Sequence, residues 1–306
     1  MLIGLLSAGG SPGVTTTALA MGSVWPAPVV VVDADPSGGD VAAAGGGMVD
    51  ASLSNLLELV RLGRHNRLPQ VLDSQIQTMP FGTPVVVGFG DPGQVGAVSW
   101  SDLAAGLRAV QHRDVLVDLG RWGIPFAPAA LMRACDVLVM VVRTQTRALR
   151  RAERVLPLIR QDLDRANPGN AGVDLLVVDD NGSFSAADIS RRLRVHVIGE
   201  LPYDPKAAAV FSDSVPAPRH LDRTPLVRGL QAVVRTSGQI AQQRRSLGSR
   251  ALLLHQAGVR SLPPGPRVPA VQPHTVPAVQ AAVAGLEIMP RTPRRLRPVP
   301  PRGGEA

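Results

Sequence analysis

The chemistry-bearing residues of this chain gather first in Ser7-Ala8-Gly9-Gly10-Ser11-Pro12-Gly13-Val14-Thr15-Thr16-Thr17-Ala18. The run follows an apolar stretch, Leu2 to Leu6, and leads into a helical one, Thr15 to Gly22. A glycine-rich turn between a strand and a helix aims backbone N–H groups and the positive end of the helix at an anion, usually a phosphate. Carboxylates end two further apolar runs: Asp33-Ala34-Asp35 after Val29 to Val32, and Asp118 after Asp114 to Val117.

Three ligand classes compete for the loop. Gly9-Gly10-Ser11-Pro12-Gly13 fits the G-x-S-x-G elbow of a serine hydrolase, but it follows the first strand and no late histidine partner presents itself. Ala8, Gly10 and Gly13 stand at dinucleotide-site spacing, with Asp33 twenty residues on as the ribose acid, although the first glycine is missing. The third class is a P-loop, G-x-x-x-x-G-K-[ST], with Thr15 as the Mg²⁺ hydroxyl, Val14 in place of the lysine and Ala8 in place of the first glycine.

In combination these pieces resemble the MinD/ParA family of P-loop ATPases, including its TadZ/CpaE branch. The family loop K-G-G-x-G-K-T-T-T compares with Gly9 to Thr17, and its V-D-x-D-P with Val32-Asp33-Ala34-Asp35-Pro36. Gly39-Asp40-Val41-Ala42 is similar to the G-D-V-A of the TadZ/CpaE branch. Asp118-Leu119-Gly120 looks like a Walker B end, and Gly199 to Asp204 like the family's G-x-h-P-x-D segment beside the adenine. The resemblance spans residues 1 to about 240. It implies a nucleotide site made of Gly10, Ser11, Pro12, Gly13, Val14, Thr15, Thr16, Pro202 and Asp204. Mg²⁺ would be held by Thr15, Asp33 and Asp118, and Asp35 would position the attacking water. It implies ATP as ligand, a homodimer, and a spatial organiser that recruits a pilus, secretion or partition machine.

The departure from the family is electrostatic. Both of its loop lysines are absent, replaced by Gly9 and Val14, and Lys206 is the only lysine in the chain. Loss of a cation on the transferring phosphate costs orders of magnitude in rate. The expectation is therefore ATP binding with weak or absent hydrolysis, with Arg121 and Arg143 as candidate substitutes. A scaffold that uses the fold without nucleotide is the alternative, and a DNA-partition factor is another.

The elements that must position these residues are readable as alternating apolar strands and helices. Continuous runs at 2–6, 29–32, 84–87, 114–117, 136–142 and 174–178 read as strands buried on both faces, hence a mostly parallel sheet. Helical stretches at 15–22, 52–62, 101–111, 147–166 and 186–193 lie between them, giving a doubly wound α/β domain over 1–245. Residues 246–306 read as a Pro/Arg-rich, mostly disordered tail, with a possible basic amphipathic helix at 247–262 and an apolar island at 276–289.

Composition narrows the functions. The 306 residues carry a net charge of +8, and residues 241–306 hold ten arginines against two glutamates, so the first 240 residues are neutral overall. A basic tail of this sort meets DNA phosphates or an anionic membrane surface without sequence preference. One cysteine, Cys135, excludes a disulfide framework and reads as a small buried hydrophobe. Aromatics at 3% do not support a base-stacking surface, and six scattered histidines show no metal-ligand spacing. No apolar run is long enough to span a bilayer, and the start lacks a basic leader, so a cytoplasmic chain is expected. Arg147, Arg150, Arg151 and Arg154 share one helix face, read as a solvated face or a partner surface.

Overall fold

The computed structural model describes residues 1–256 apart from Gly10, Ala51, Leu53, Ser54, Pro125, Phe126, 167–171 and Ser183, with backbone only at 247–256. Strands β1 (Leu2–Ser7), β2 (Val29–Asp33), β3 (Gln77–Thr78), β4 (Pro84–Val86), β5 (Asp114–Arg121), β6 (Val137–Arg143), β7 (Val173–Asp179) and β8 (Val197–Pro202) form one sheet. Their order is β3-β4-β2-β5-β1-β6-β7-β8, and every pairing is parallel except β3 with β4. The doubly wound sheet expected from the apolar runs is present.

Its two faces are read directly from the strand alternation. Leu2, Leu6, Val30 and Val32 face one layer, built with α3 (Leu56–Leu62), α4 (Leu68–Val71), α5 (Trp100–Arg108), α6 (Ala129–Ala134), α7 (Thr146–Ala166) and α8 (Ala186–Leu193). Ile3, Leu5, Val29 and Val31 face the other, built with α1 (Val14–Ser23), α2 (Val41–Ala44), α9 (Pro205–Ser212) and α10 (Pro225–Gln256). Both layers bury β-branched and leucine side chains almost completely, which explains why the strand sequences are continuously apolar.

β1 lies centrally, with β5 on one side and β6 on the other. The chain moves outward through β2, returns to β5, then moves the opposite way through β6, β7 and β8. The strand order therefore reverses beside the carboxyl end of β1, where open α/β sheets leave a crevice. The loop of residues 8–13 ends there.

Two boundaries differ from the sequence reading. The helix expected from residue 52 begins at Leu56, where the Asn55 side chain accepts from the Glu58 N–H at 3.0 Å. The helix expected at 247–262 is not a separate element: α10 runs without interruption from Pro225 to Gln256, across the 245/246 division. Residues 257–262, the apolar island and the rest of the tail lie outside the described residues.

Candidate functional site

The loop after β1 is shaped by backbone geometry that favours glycine. Gly9 and Gly13 adopt φ of 128° and 96°, and Ser11 takes a left-handed φ of 48°. Gly13 is the N-cap of α1 and brings no side chain to it, whereas α5, α8 and α9 are capped by Ser99, Ser185 and Asp204. The first-turn N–H groups of α1 are thus left open towards the crevice, an arrangement suited to an anion.

A cavity of about 320 Å³ opens over this turn, lined by Ser11, Gly13, Thr15 and Thr16 together with Asp35 and Asp40. Pro12 and Val14 also contribute to it, although the Val14 side chain packs into the apolar layer behind α1. A second cavity of about 280 Å³ adjoins Pro12, Gly13 and Thr16, and is walled by Pro202, Tyr203 and Asp204. The sequence-derived residues are therefore brought together, with Gly10 outside the described residues. Asp204 has a structural task as well, since its carboxylate accepts the Ala207 N–H at 3.0 Å to start α9.

Two carboxylates lie beneath the loop, fully buried. Asp33, the last residue of β2, and Asp118 are register partners; β5 continues past Asp118 to Arg121, where the sequence reading had Asp118 close the strand. Burial pushes the Asp33 carboxyl well above its ordinary range, and the negative charges of Asp118 and Asp35 push it further; the Asp35 and Val41 N–H groups offset this in part. Asp118 is raised to about 6, chiefly by burial, with Asp35 and Asp40 adding to the effect. The Thr15 hydroxyl and the Gly120 N–H, at 2.9 Å from Oδ1, act the other way.

Oδ2 of Asp33 and Oδ2 of Asp118 are buried without a hydrogen-bond partner. Orphaned carboxylate oxygens cost free energy unless something neutralises them, and a hard divalent cation takes such donors. No group of three His, Cys, Asp or Glu side chains among the described residues could hold a metal on its own. A cation here would need further oxygens from a hydroxyl and from the ligand itself, the usual way Mg²⁺ is held over phosphates.

Glycines allow this packing. A β-carbon on Gly39 would collide with the Asp33 carboxylate, and one on Gly120 with that of Asp35. The Asp35 carboxylate also accepts the Ser37 N–H at 2.8 Å, which aligns it at the cavity wall.

Cations surround the loop from outside. Arg121 and Arg151 stand beside Gly9, whose β-carbon would meet Arg121 Cδ at 3.7 Å and an Arg151 guanidinium nitrogen at 3.4 Å. Arg143 donates to the Ser11 carbonyl at 3.4 Å. The sequence offered Arg121 and Arg143 because they end strands. Arg151, one of the α7 face arginines, was read only as solvated or partner-facing, since nothing local shows that its helix passes Gly9.

The competing loop chemistries lose their partners. No histidine lines either cavity, which leaves Ser11 without a base for the hydrolase reading. Asp33 is closed off beneath Gly39 and Gly88, so it is not placed to bind a ribose as the dinucleotide reading requires. Cys135 is half-buried rather than fully buried as expected; desolvation and Asp136 raise its thiol above the ordinary value, and it donates to the Leu131 carbonyl at 3.1 Å, which leaves it inert.

No family model and no curated protein matches the sequence. Solved structures do match. A ParA family ATPase from Chlorobium tepidum aligns with a TM-score of 0.63 at 16% identity, covering 76% of this chain and 97% of that one. The chain has the fold of the MinD and ParA P-loop ATPases. Pyrococcus horikoshii MinD, solved with Mg-ADP, aligns with a TM-score of 0.62 at 15% identity over 79% of this chain and 98% of that one. A single-residue variant of Cyanothece McdA, solved with ATP, gives 0.59 at 16% identity over 78% and 96%. Among the described residues, no helix is long and apolar enough to cross a membrane.

Proposed function

We propose that this chain is a MinD/ParA-like ATP-binding protein that organises or recruits a larger machine, with weak or absent ATP hydrolysis. The observation that carries the reading is the uncapped start of α1 facing Asp35, above the unpartnered oxygens of Asp33 and Asp118. An anion at the helix start and a divalent cation over the carboxylates satisfy both halves at once. Gly10 to Thr16 would cradle the phosphates, and Pro202 and Asp204 would flank the base in the adjoining cavity. Thr15, Asp33 and Asp118 would hold Mg²⁺, which supplies charge neutralisation on the phosphate chain. Asp35 would orient a water.

Weak hydrolysis follows from the loop chemistry, since neither Gly9 nor Val14 brings a cation. Similarity to Aquifex aeolicus MinD solved in complex with MinC supports a protein partner, here one belonging to a pilus, secretion or partition machine, and a homodimer. The TadZ/CpaE branch is favoured by Gly39-Asp40-Val41-Ala42. The concentration of positive charge after residue 240 favours a second contact, of the tail with DNA phosphates or an anionic membrane.

Titration calorimetry of the full chain with Mg·ATP, Mg·ADP and NAD, paired with phosphate release, tests the reading. Micromolar binding of the two adenine nucleotides with little turnover is expected, and Asp35→Ala should remove whatever turnover exists. Binding of none of the three would leave a scaffold with an ATPase fold.

A further inference from the structure

Three cavities meet at the loop, and one charged side chain lines all of them. The phosphate-side cavity, the Pro202–Tyr203 cavity and a third of about 330 Å³ between Gly9 and α7 each include Arg143. Arg121 lines only the first and Arg151 only the third. Arg143 is also half-buried, whereas Arg121, Arg147 and Arg151 are exposed.

The guanidinium of Arg143 is held but not neutralised. Among the described residues its one hydrogen bond goes to the neutral Ser11 carbonyl, and it stacks over the Tyr203 ring at 5.5 Å from the centroid. Its Nε is buried with no partner. Arg61, Arg108, Arg113, Arg133, Arg191, Arg192, Arg223 and Arg244 all have a carboxylate within 4.0 Å, and Arg143 has none among the described residues. A half-buried cation with no carboxylate partner among the described residues, fixed between an aromatic ring and an anion-ready helix start, is arranged for a phosphate.

We propose that Arg143 supplies, from the end of β6, the phosphate-neutralising charge that a P-loop usually takes from its own lysine. This rests on the nucleotide reading for the identity of the ligand, but the anion site itself does not. The position also carries a consequence for selectivity. Arg143 lies at the junction of the base-side and phosphate-side cavities, so it meets the inner phosphates of a nucleotide spanning both. ATP and ADP should gain alike from it, and adenosine not at all.

The test uses the full chain and compares Arg143→Ala, Arg143→Lys and Arg191→Ala. Calorimetry with Mg·ATP, Mg·ADP and adenosine is joined to thermal shift with inorganic pyrophosphate, which has no base. Arg143→Ala should weaken both nucleotides by about ten- to a hundredfold, the loss of one charge-assisted contact. It should also abolish the pyrophosphate shift and leave adenosine unchanged. Arg143→Lys should recover part of the loss, and Arg191→Ala, at an exposed arginine that lines none of the three cavities, should stay within about twofold of the parent protein.

Parent-like nucleotide and pyrophosphate binding by Arg143→Ala overturns the proposal. So does an equal loss of adenosine, which would mark a merely structural role. If the parent protein binds no nucleotide yet shows a pyrophosphate shift that depends on Arg143, the anion site stands and the ATP reading falls. Arg143 pairs with no carboxylate among the described residues and its bond to the Ser11 carbonyl is long at 3.4 Å, so circular dichroism of Arg143→Ala should match the parent.

Discussion

At the residue scale, the site is a concentration of negative charge in a nearly neutral domain, and its stability should depend on pH accordingly. Asp118 is raised from 3.8 to about 6, so the folded chain binds its proton more tightly than the unfolded chain does. Metal-free stability is therefore highest at low pH for this group and falls as pH rises through the window from about 4 to about 6. The shift corresponds to a cost on the order of 3 kcal/mol at pH 7.5. Asp118→Asn removes that charge while Oδ1 still accepts from Gly120, so its melting temperature without metal should exceed the parent's by several degrees at pH 7.5. The gain should vanish near pH 4, and Mg²⁺ with ATP should stabilise the variant less than the parent. Calorimetric scans across pH with and without Mg·ATP decide this; an unstabilised variant at pH 7.5 sinks the argument. Asp33, Asp35 and Asp118 were legible in the sequence because acids that end apolar strands are conspicuous there. Asp40, whose charge acts on Asp118, and Gly88, which presses on Asp33, were not, since each meets its carboxylate only through chain folding.

At the scale of elements, the crossing from β5 to the loop depends on a glycine with two tasks. Gly120 takes φ of 63° at the end of β5, and the place of its missing β-carbon is filled by the Asp35 carboxylate. Gly123 is a useful comparison, with φ of 83° and nothing within 4 Å of a built β-carbon. Both alanine variants carry the left-handed backbone strain, about 1 kcal/mol, and only Gly120→Ala also displaces Asp35. Gly120→Ala should therefore destabilise by about 1–3 kcal/mol more than Gly123→Ala, and it alone should disturb Mg·ATP binding. Urea titrations of the pair, with calorimetry, give the comparison, and equal losses would show that backbone strain is the whole effect. Strands β1, β2, β4, β5, β6 and β7 were legible because each carries an apolar run buried in the sheet, even where a buried acid such as Asp118 or Asp174 interrupts it. The edge strands were not: β3 is two residues long, and β8 buries only Ile198 and Leu201, with Glu200 exposed. A half-covered edge does not need a continuous apolar sequence.

At the scale of the whole molecule, α10 closes the sheet at its far end from β4, and its length is the chief departure from the sequence reading. Its first half was recoverable from the spacing of Leu226, Leu230, Val233 and Val234, all buried against the sheet. The sequence reading placed the domain boundary at 245/246, yet the helix crosses it and continues to Gln256. Just before that boundary, Arg244 ties the helix to the strands. It reaches Asp174 at 2.7 Å and the Gly172 carbonyl at 3.1 Å, and Asp174 is buried at 3% exposure. The His196 ring, with Nδ1 at 3.2 Å from the same carboxylate, is its other side-chain neighbour. Removing one member of a buried pair leaves an uncompensated charge, which costs about 3–5 kcal/mol, less here because His196 can still donate a hydrogen bond. Arg244→Ala should thus lose about 2–4 kcal/mol in urea titrations, and adding His196→Ala should deepen the loss beyond the sum of the two single changes. A chain ending at residue 256 should melt with the full-length protein, and one ending at residue 243 should fall to the level of Arg244→Ala or below. If the chain ending at 243 is as stable as the parent, the polar stretch of α10 contributes nothing to the fold, and the domain ends where the sequence pattern first suggested.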